Sequence, residues 1–195
     1  MGCHFSSANK QKVSAKTRKN YLVQNSQTED DNVNHQQRRP AADPPVFTEE
    51  QKKVVLESWQ FIQEDIAKVG VVMFMNLFET HPDVQDVFMP FKGMSKEDLS
   101  HSSQLRSHAL RVMGTVEKCL SRIDEPKKLE EMLHELGARH VMYSAKVDYI
   151  DLIGPQFIYA IAPALGDRWT PEMESAWSDL FKFISYIIKE AMLFY

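Results

Sequence analysis

The chain has 195 residues, enough for one domain and a tail rather than two full domains. Hydrophobic residues make up 43% and aromatics 10%, enough for a buried core, and a formal net charge of -4 argues against bulk attraction to nucleic acid. No apolar run reaches the roughly 18 residues a spanning helix needs, and the N-terminus lacks the apolar core of a secretory signal. Two cysteines, Cys3 and Cys119, are too few for a disulfide framework and suit a reducing compartment. A bridge between them closes a very long loop and is not expected.

The chain opens with Met1-Gly2-Cys3-His4-Phe5-Ser6. This fits the N-myristoylation pattern, with Gly2 exposed once Met1 is removed and Ser6 in the favoured place; Cys3 beside it is a candidate for palmitoylation. One myristoyl chain binds a membrane marginally, while two hold stably. Lys10, Lys12, Lys16, Arg18 and Lys19 follow as a basic stretch without acids, each worth about 1 kcal/mol near an anionic inner leaflet. The expectation is a lipid anchor on the cytoplasmic face of the plasma membrane; the plain alternative is a chance Met-Gly start. Residues 7–45 are rich in Asn, Gln, Ser and charge and cannot bury enough surface to offset their ordering entropy. They predict a disordered tail over residues 1–46, followed by a folded domain over 47–195.

From Val46 onward the pattern is helical. Thr48-Glu49-Glu50-Gln51 reads as a capping box opening a helix that carries Val54, Val55, Trp59 and Ile62. A second helix is predicted over 66–80, broken by Pro82. Residues 82–98 read as short turns around Phe88, Pro90, Phe91 and Gly93. A long helix is predicted over 99–120 and another over 126–143. Asp148 is a candidate cap for a helix running to about Leu165, and Gly166-Asp167 break it. Thr170-Pro171-Glu172 supplies a cap, a first-turn proline and an early acid for a last helix to about Leu193. The fold class is all-α.

Two histidines lie on apolar faces. Leu105, Ala109, Val112, Val116 and Leu120 recur at spacings of three and four, with His108 on or beside that stripe. Leu129, Met132, Leu133 and Leu136 form a stripe on the next helix, and His140 continues it. His4, His35, His81 and His134 lie in the tail, at helix ends or at poorly apolar positions. His101 falls two turns before His108 on nearly the same face, in a Ser-rich polar start. A lone helix histidine is usually an ordinary core or surface residue. The pair lies on successive helices, which excludes the short zinc spacing in which both ligands share one helix, and no Cys or carboxylate cluster completes a tetrahedral site. Spacing alone leaves a helical domain with a possible bis-histidine pocket.

The order of these residues resembles the globins, and within them neuroglobin and the lipid-anchored globin X group. Trp59 falls at the usual tryptophan position of the first helix. Residues 72–78 resemble the second helix, with Phe74 facing the distal pocket. His81-Pro82-Asp83 resembles the start of the short third helix, and Phe88 matches the phenylalanine that packs on the porphyrin. His108-Ala109-Leu110-Arg111-Val112-Met113 resembles the distal helix, and Leu136-Gly137-Ala138-Arg139-His140 the proximal signature. Ala145, Ile150 and Ile153 fall where globins line the proximal and inner edges of haem. Ala176-Trp177 resembles the neuroglobin last helix.

The resemblance implies a globin fold around haem b, with His140 as proximal iron ligand and His108 on the distal side. There His108 either ligates iron, as neuroglobin suggests, or hydrogen-bonds a bound gas. Leu136 then presses the proximal face, and Phe74, Phe88 and Val112 keep the pocket dry. Arg111 pairs with a propionate or is simply a solvated helix arginine. Neuroglobin's cysteine pair is missing: residues 89–107 carry no Cys, so a redox switch of that kind is not carried over. Cys119 reads as an ordinary, partly buried thiol.

The implied ligands are O2, NO and CO, and nitrite as a substrate. The implied function is redox work at a membrane: electron transfer with an unidentified electron donor, or protection of lipids from reactive oxygen. Enzymatic reduction of nitrite to NO with His108 assisting, or dioxygenation of NO, is the next reading. Oxygen storage or sensing follows, and a haem-free lipid-anchored helical adaptor comes last.

Overall fold

A computed structural model describes residues 46–194; Gly2, Cys3 and the basic stretch lie outside the described residues. Every regular element among the described residues is helical. The helices are α1 (Glu49–Ile62), α2 (Ile66–Thr80), α3 (Pro82–Val87), α4 (Lys96–His101), α5 (Ser103–Leu120), α6 (Pro126–Met142), α7 (Ile153–Leu165) and α8 (Pro171–Phe194). The all-α expectation holds.

The first helix starts where the capping box places it. The Gln51 backbone N–H donates to Thr48 Oγ1 at 3.2 Å, and the Thr48 N–H donates back to Gln51 Oε1 at 2.9 Å. Two otherwise orphaned donors are satisfied, and Glu49 and Glu50 complement the positive helix end. At the other end of the chain, Thr170 Oγ1 accepts from the Met173 N–H at 3.3 Å ahead of Pro171. Between them, α2 is the central strut. It buries Val69, Gly70, Met73, Phe74, Leu77 and Phe78, and packs on α5 and α7. The last helix, α8, closes the domain against α1, α6 and α7.

The core is one contiguous cluster. At its centre Trp177 packs 6.1 Å from Trp59 and 4.9 Å from Phe157, ring to ring, and its indole N–H donates to the buried Ser58 hydroxyl at 3.0 Å. A buried indole without an acceptor is costly, so Ser58 is the polar partner that lets Trp177 sit there.

Three local expectations are corrected. Residues 82–98, read as turns from their residues, contain α3, where the resemblance implied a short third helix, and the first residues of α4. Pro82 begins α3 because its missing N–H costs nothing in a first turn. Ser95 caps α4 by accepting from the Asp98 N–H at 3.1 Å. The single helix expected from 99 to 120 is two helices. Ser102 is extended and its hydroxyl accepts from the Leu105 N–H at 3.2 Å, so the helix restarts there. His101 therefore ends α4, exposed, with Nδ1 against the Glu97 carbonyl at 2.9 Å, and shares no face with His108. Finally, Asp148 does not cap a helix. A 3-10 segment, Val147–Leu152, intervenes, and α7 starts at Ile153, where Pro155 fits the first turn.

Candidate functional site

The helices α5 and α6 follow each other in sequence but do not pack along each other; α5 leans on α2 and α6 on α8. On each helix a fully buried row meets its packing partner. On α5 that row is Leu105, Ala109 and Met113; on α6 it is Leu129, Leu133 and Gly137. One step round each helix runs a half-buried row containing a histidine: His108 and Val112 on α5, and Met132, Leu136 and His140 on α6. The stripes read from sequence are thus double. One line serves the fold, and the line beside it carries the imidazoles.

Two glycines set the helix crossings. A Cβ on Gly70 of α2 meets Met113 Cγ at 3.0 Å and Ala109 Cβ at 3.1 Å, so the backbone of α2 lies close on α5 just beyond His108. A Cβ on Gly137 of α6 meets Ala191 Cβ at 2.6 Å and the Ile188 carbonyl oxygen at 2.7 Å. Only glycine lets α6 lie that deep on α8, three residues before His140.

His108 is surrounded by aromatic rings. Its centroid lies 4.9 Å from Phe74, 5.3 Å from Phe88 and 6.3 Å from Phe91, each near edge-to-face. Phe78 supports this cage 5.5 Å from Phe88. Burial first, then the Arg111 guanidinium and then His140, push the His108 pKa down to about 4. The ring is therefore neutral at any physiological pH, and the two imidazoles are near enough for one to feel the other's charge. An Arg111 guanidinium nitrogen lies 3.4 Å from His108 Nδ1.

His140 is held differently. Its Nδ1 lies 2.8 Å from the Leu136 carbonyl oxygen. A carbonyl only accepts, so Nδ1 carries a proton, and in the neutral ring the lone pair is then on Nε2. This is the tautomer in which imidazole ligates a metal through Nε2. Past His140, Ala145, Ile150 and Ile153 are half-buried and pack on the core, in a segment resting on α8. Tyr149 pins that segment to the start of α3, its hydroxyl donating to Asp83 Oδ2 at 2.7 Å.

Of the expected site residues, the structure brings Phe74, Phe88 and His108 into direct contact. Val112 follows His108 one turn on along the same half-buried row, Leu136 accepts the His140 Nδ1 hydrogen bond through its carbonyl, and Arg111, exposed, reaches to 3.4 Å from His108 Nδ1. Phe91 and Phe78 were not expected in the site. Phe91 had a signal: it follows Phe88 by three residues in the 3-10 turn Met89–Phe91, where residues three apart eclipse, and the two rings stack at 26°. The Tyr149–Asp83 bond had none.

Among the described residues no group of three or more His, Cys, Asp or Glu side chains could hold a metal ion. What the site offers is two imidazoles from successive helices, flanked by half-buried apolar rows and, around His108, by aromatic edges. That donor set fits a flat apolar macrocycle whose metal takes axial nitrogen ligands from the protein.

Comparison with known proteins agrees with that chemistry. A globin family model matches residues 71–188. The chain is 26% identical over 150 residues to cytoglobin-2 of Danio rerio, spanning 76% of this chain and 84% of that protein. It is 29% identical over 149 residues to an anaerobic nitrite reductase of Casuarina glauca (75% and 92% covered). It is 30% identical over 150 residues to an anaerobic nitrite reductase of Gossypium hirsutum (75% and 91% covered). Among solved structures, a hexacoordinated haem protein from an anhydrobiotic tardigrade superposes with a TM-score of 0.72 at 22% identity, over 77% of this chain and 99% of that one. A double mutant of myoglobin from Aplysia limacina gives 0.66 at 22%, over 74% and 97%. At those identities the superpositions speak for the fold.

Proposed function

The chain belongs to the globin family, with haem as its cofactor, and from there we propose that it is a membrane-tethered bis-histidyl globin doing redox work on small ligands. The observation that carries this reading is the pair of imidazoles, a neutral His108 caged by aromatic rings and His140 oriented by the Leu136 carbonyl, on half-buried rows of two helices that do not pack along each other. Haem supplies an iron that binds O2, NO or CO and moves between ferrous and ferric states.

The chain's own groups do the rest. His140 would hold the iron through Nε2, its ring fixed by the bond to the Leu136 carbonyl. His108, positioned by Phe74, Phe88 and Phe91, would be the second nitrogen donor to the haem iron or a hydrogen-bond donor to its ligand. With Val112, these rings exclude water. Leu136, Ala145, Ile150 and Ile153 supply apolar contact on the proximal side. Two imidazole donors would leave the iron's coordination little changed between its oxidation states, which suits electron exchange with a separate donor. The anchor on Gly2 and Cys3 holds the domain at the cytoplasmic face of the plasma membrane, where lipid oxidation products arise.

A second reading, nitrite reduction, is favoured by two relatives named as anaerobic nitrite reductases. One-electron reduction of nitrite consumes two protons and releases nitric oxide and water, the electron coming from ferrous iron. His108 is neutral, so it offers the anion a hydrogen bond and a relay position rather than a stored proton.

The test is the visible spectrum of the purified protein in both oxidation states, with and without CO. A sharp two-band ferrous spectrum that His108→Ala converts to a broad one supports distal ligation, and an unchanged spectrum removes it. Rapid mixing of ferrous protein with nitrite must yield nitric oxide above a free-haem control, or the second reading falls. Gly2→Ala is expected to release the protein to the cytosol; retention at the membrane removes the anchor.

A further inference from the structure

We propose that Arg111 is a positioning residue that selects which ring nitrogen of His108 carries the proton, and so tips the balance between iron ligation by His108 and hydrogen bonding to a bound small ligand. The inference rests on the bis-histidyl reading above. Its basis is the contact between Arg111 Nη2 and His108 Nδ1, at 3.4 Å. A guanidinium has only donors, so Nδ1 can take part only as an acceptor. In a neutral ring the proton is then on Nε2, the nitrogen free to point into the pocket.

The opposite imidazole is set the other way. His140 Nδ1 faces a carbonyl, 2.8 Å away, and must be the protonated nitrogen. One ring therefore offers a lone pair at Nε2, and the other an N–H. The first is arranged as a ligand, the second as a hydrogen-bond donor. For His108 to ligate iron, its proton must pass through solvent from Nε2 to Nδ1, with no net gain or loss of protons. Nδ1–H then faces the guanidinium donor to donor, and Arg111 must turn away.

The placement is local and built in. Arg111 lies three residues after His108, on the same side of α5. Among the described residues it forms no ion pair with a carboxylate that would draw the guanidinium elsewhere. Phe74, Phe88 and Phe91 hold the ring itself, which leaves the choice of tautomer to the group at Nδ1.

The experiment compares the full-length haem protein with Arg111→Met and Arg111→Lys. The fraction of ferrous protein in the closed, His108-ligated form is read from the visible spectrum and from the slowing of CO binding. The His108 ring proton is followed by proton NMR in the ferric cyanide complex. Arg111→Met is expected to raise the closed-to-open ratio about three- to tenfold, the size of one ordinary hydrogen bond. It should also weaken the exchangeable Nε2–H signal next to cyanide; Arg111→Lys, which keeps a donor, should fall between. An unchanged or lower closed fraction in Arg111→Met overturns the proposal. So does faster haem loss with no change in closed fraction, which assigns Arg111 to a haem carboxylate instead. His108→Leu separates the two levels: if it leaves the ferrous spectrum unaltered, distal ligation itself is wrong, and the role of Arg111 falls with it.

Discussion

The distal and proximal sides of the site hold an imidazole by opposite means. His108 is located by shape: three aromatic rings meet its edges, and its polar contact among the described residues, with Arg111, is long. His140 is located by a short bond to the Leu136 carbonyl and by aliphatic neighbours that are only half-buried. The backbone differs in the same sense. Each helix is backed through a fully buried row, α5 on α2 and α6 on α8, and the difference lies beyond the helix end. The proximal helix runs into a segment with no α-helix, where Ser144 takes a φ of 59°, a conformation that costs a non-glycine residue about 1–3 kcal/mol. That strain is tolerated because the Ser144 N–H donates to the Val141 carbonyl at 2.9 Å and the Ala145 N–H to the His140 carbonyl at 3.0 Å. A ring held by packing can be displaced by a competing ligand without breaking a strong bond. A ring whose Nδ1–H is held by a carbonyl cannot change tautomer, or turn, without losing that bond. The asymmetry assigns permanence to His140 and exchange to His108.

The largest effect should come from deleting each imidazole in turn. His140→Ala is expected to remove haem retention almost entirely, by more than the roughly 100-fold that loss of a supporting group costs a metal site. His108→Ala should leave the haem bound and change only its spectrum. Haem transfer to an excess of an apo-acceptor measures both. Equal losses in the two variants would break the proposed division of roles.

Next in size is the distal cage. Phe74 is fully buried and touches Phe78, Phe88 and His108, so Phe74→Ala should destabilise the domain by about 3–5 kcal/mol in denaturant unfolding. Leu136→Ala, at a half-buried proximal position, should cost clearly less. If Leu136→Ala costs as much as Phe74→Ala, the proximal side is as tightly packed as the distal one.

How much of this was legible in the sequence follows the same division. Both histidines showed because they extend apolar stripes of local period, and the capping box and Pro171 fixed helix starts from adjacent residues alone. The second row on each helix did not show, because period 3.6 says which residues share a side but not which of two adjoining lines meets the neighbour. Ser102 was read as helix interior, although its hydroxyl competes for the Leu105 N–H; with that, His101 moved off the distal helix. Asp148 looked like a cap, but Pro155 set the start of α7. Cys119, expected to be partly buried, is fully enclosed at 1% exposure. The Tyr149–Asp83 bond joins residues far apart in the chain and depends on the finished fold.

The two glycine crossings offer a finer comparison of the two sides. In Gly137→Ala the new methyl meets the backbone of α8 as well as the Ala191 side chain, and neither can swing away. Overpacking of this kind costs about 1–3 kcal/mol, against which the gain in helix propensity is about 1 kcal/mol. In Gly70→Ala the new methyl meets Met113 Cγ at 3.0 Å, Ala109 Cβ at 3.1 Å and the Ala109 carbonyl oxygen at 3.3 Å, looser by several tenths of an ångström than at Gly137, so the net loss should be smaller. Thermal melts of both variants test this. A larger loss at Gly70 than at Gly137 would mean that the distal crossing, not the proximal one, is the tighter seat.

The smallest effect expected concerns the far end of the distal helix. Burial raises the Cys119 thiol pKa to about 12, with Arg122 opposing weakly. In the unfolded chain the thiol ionises at its ordinary value near 9, so the unfolded state releases a proton that the folded state retains. Folding stability should therefore be unaffected by this group below about pH 9 and fall as pH rises from there toward 12. Cys119→Ala removes that alkaline slope, while leaving a small cavity whose cost is the same at every pH, so the slope and not the midpoint is the quantity to compare. The same burial should make Cys119 unreactive toward alkylating reagents in the native protein at pH 8, labelling only as the domain opens. Rapid native labelling would show that this end of α5 opens independently. The aromatic cage would then be anchored by α2 alone, and the contrast between a packed distal side and a hydrogen-bonded proximal side would hold only near His108.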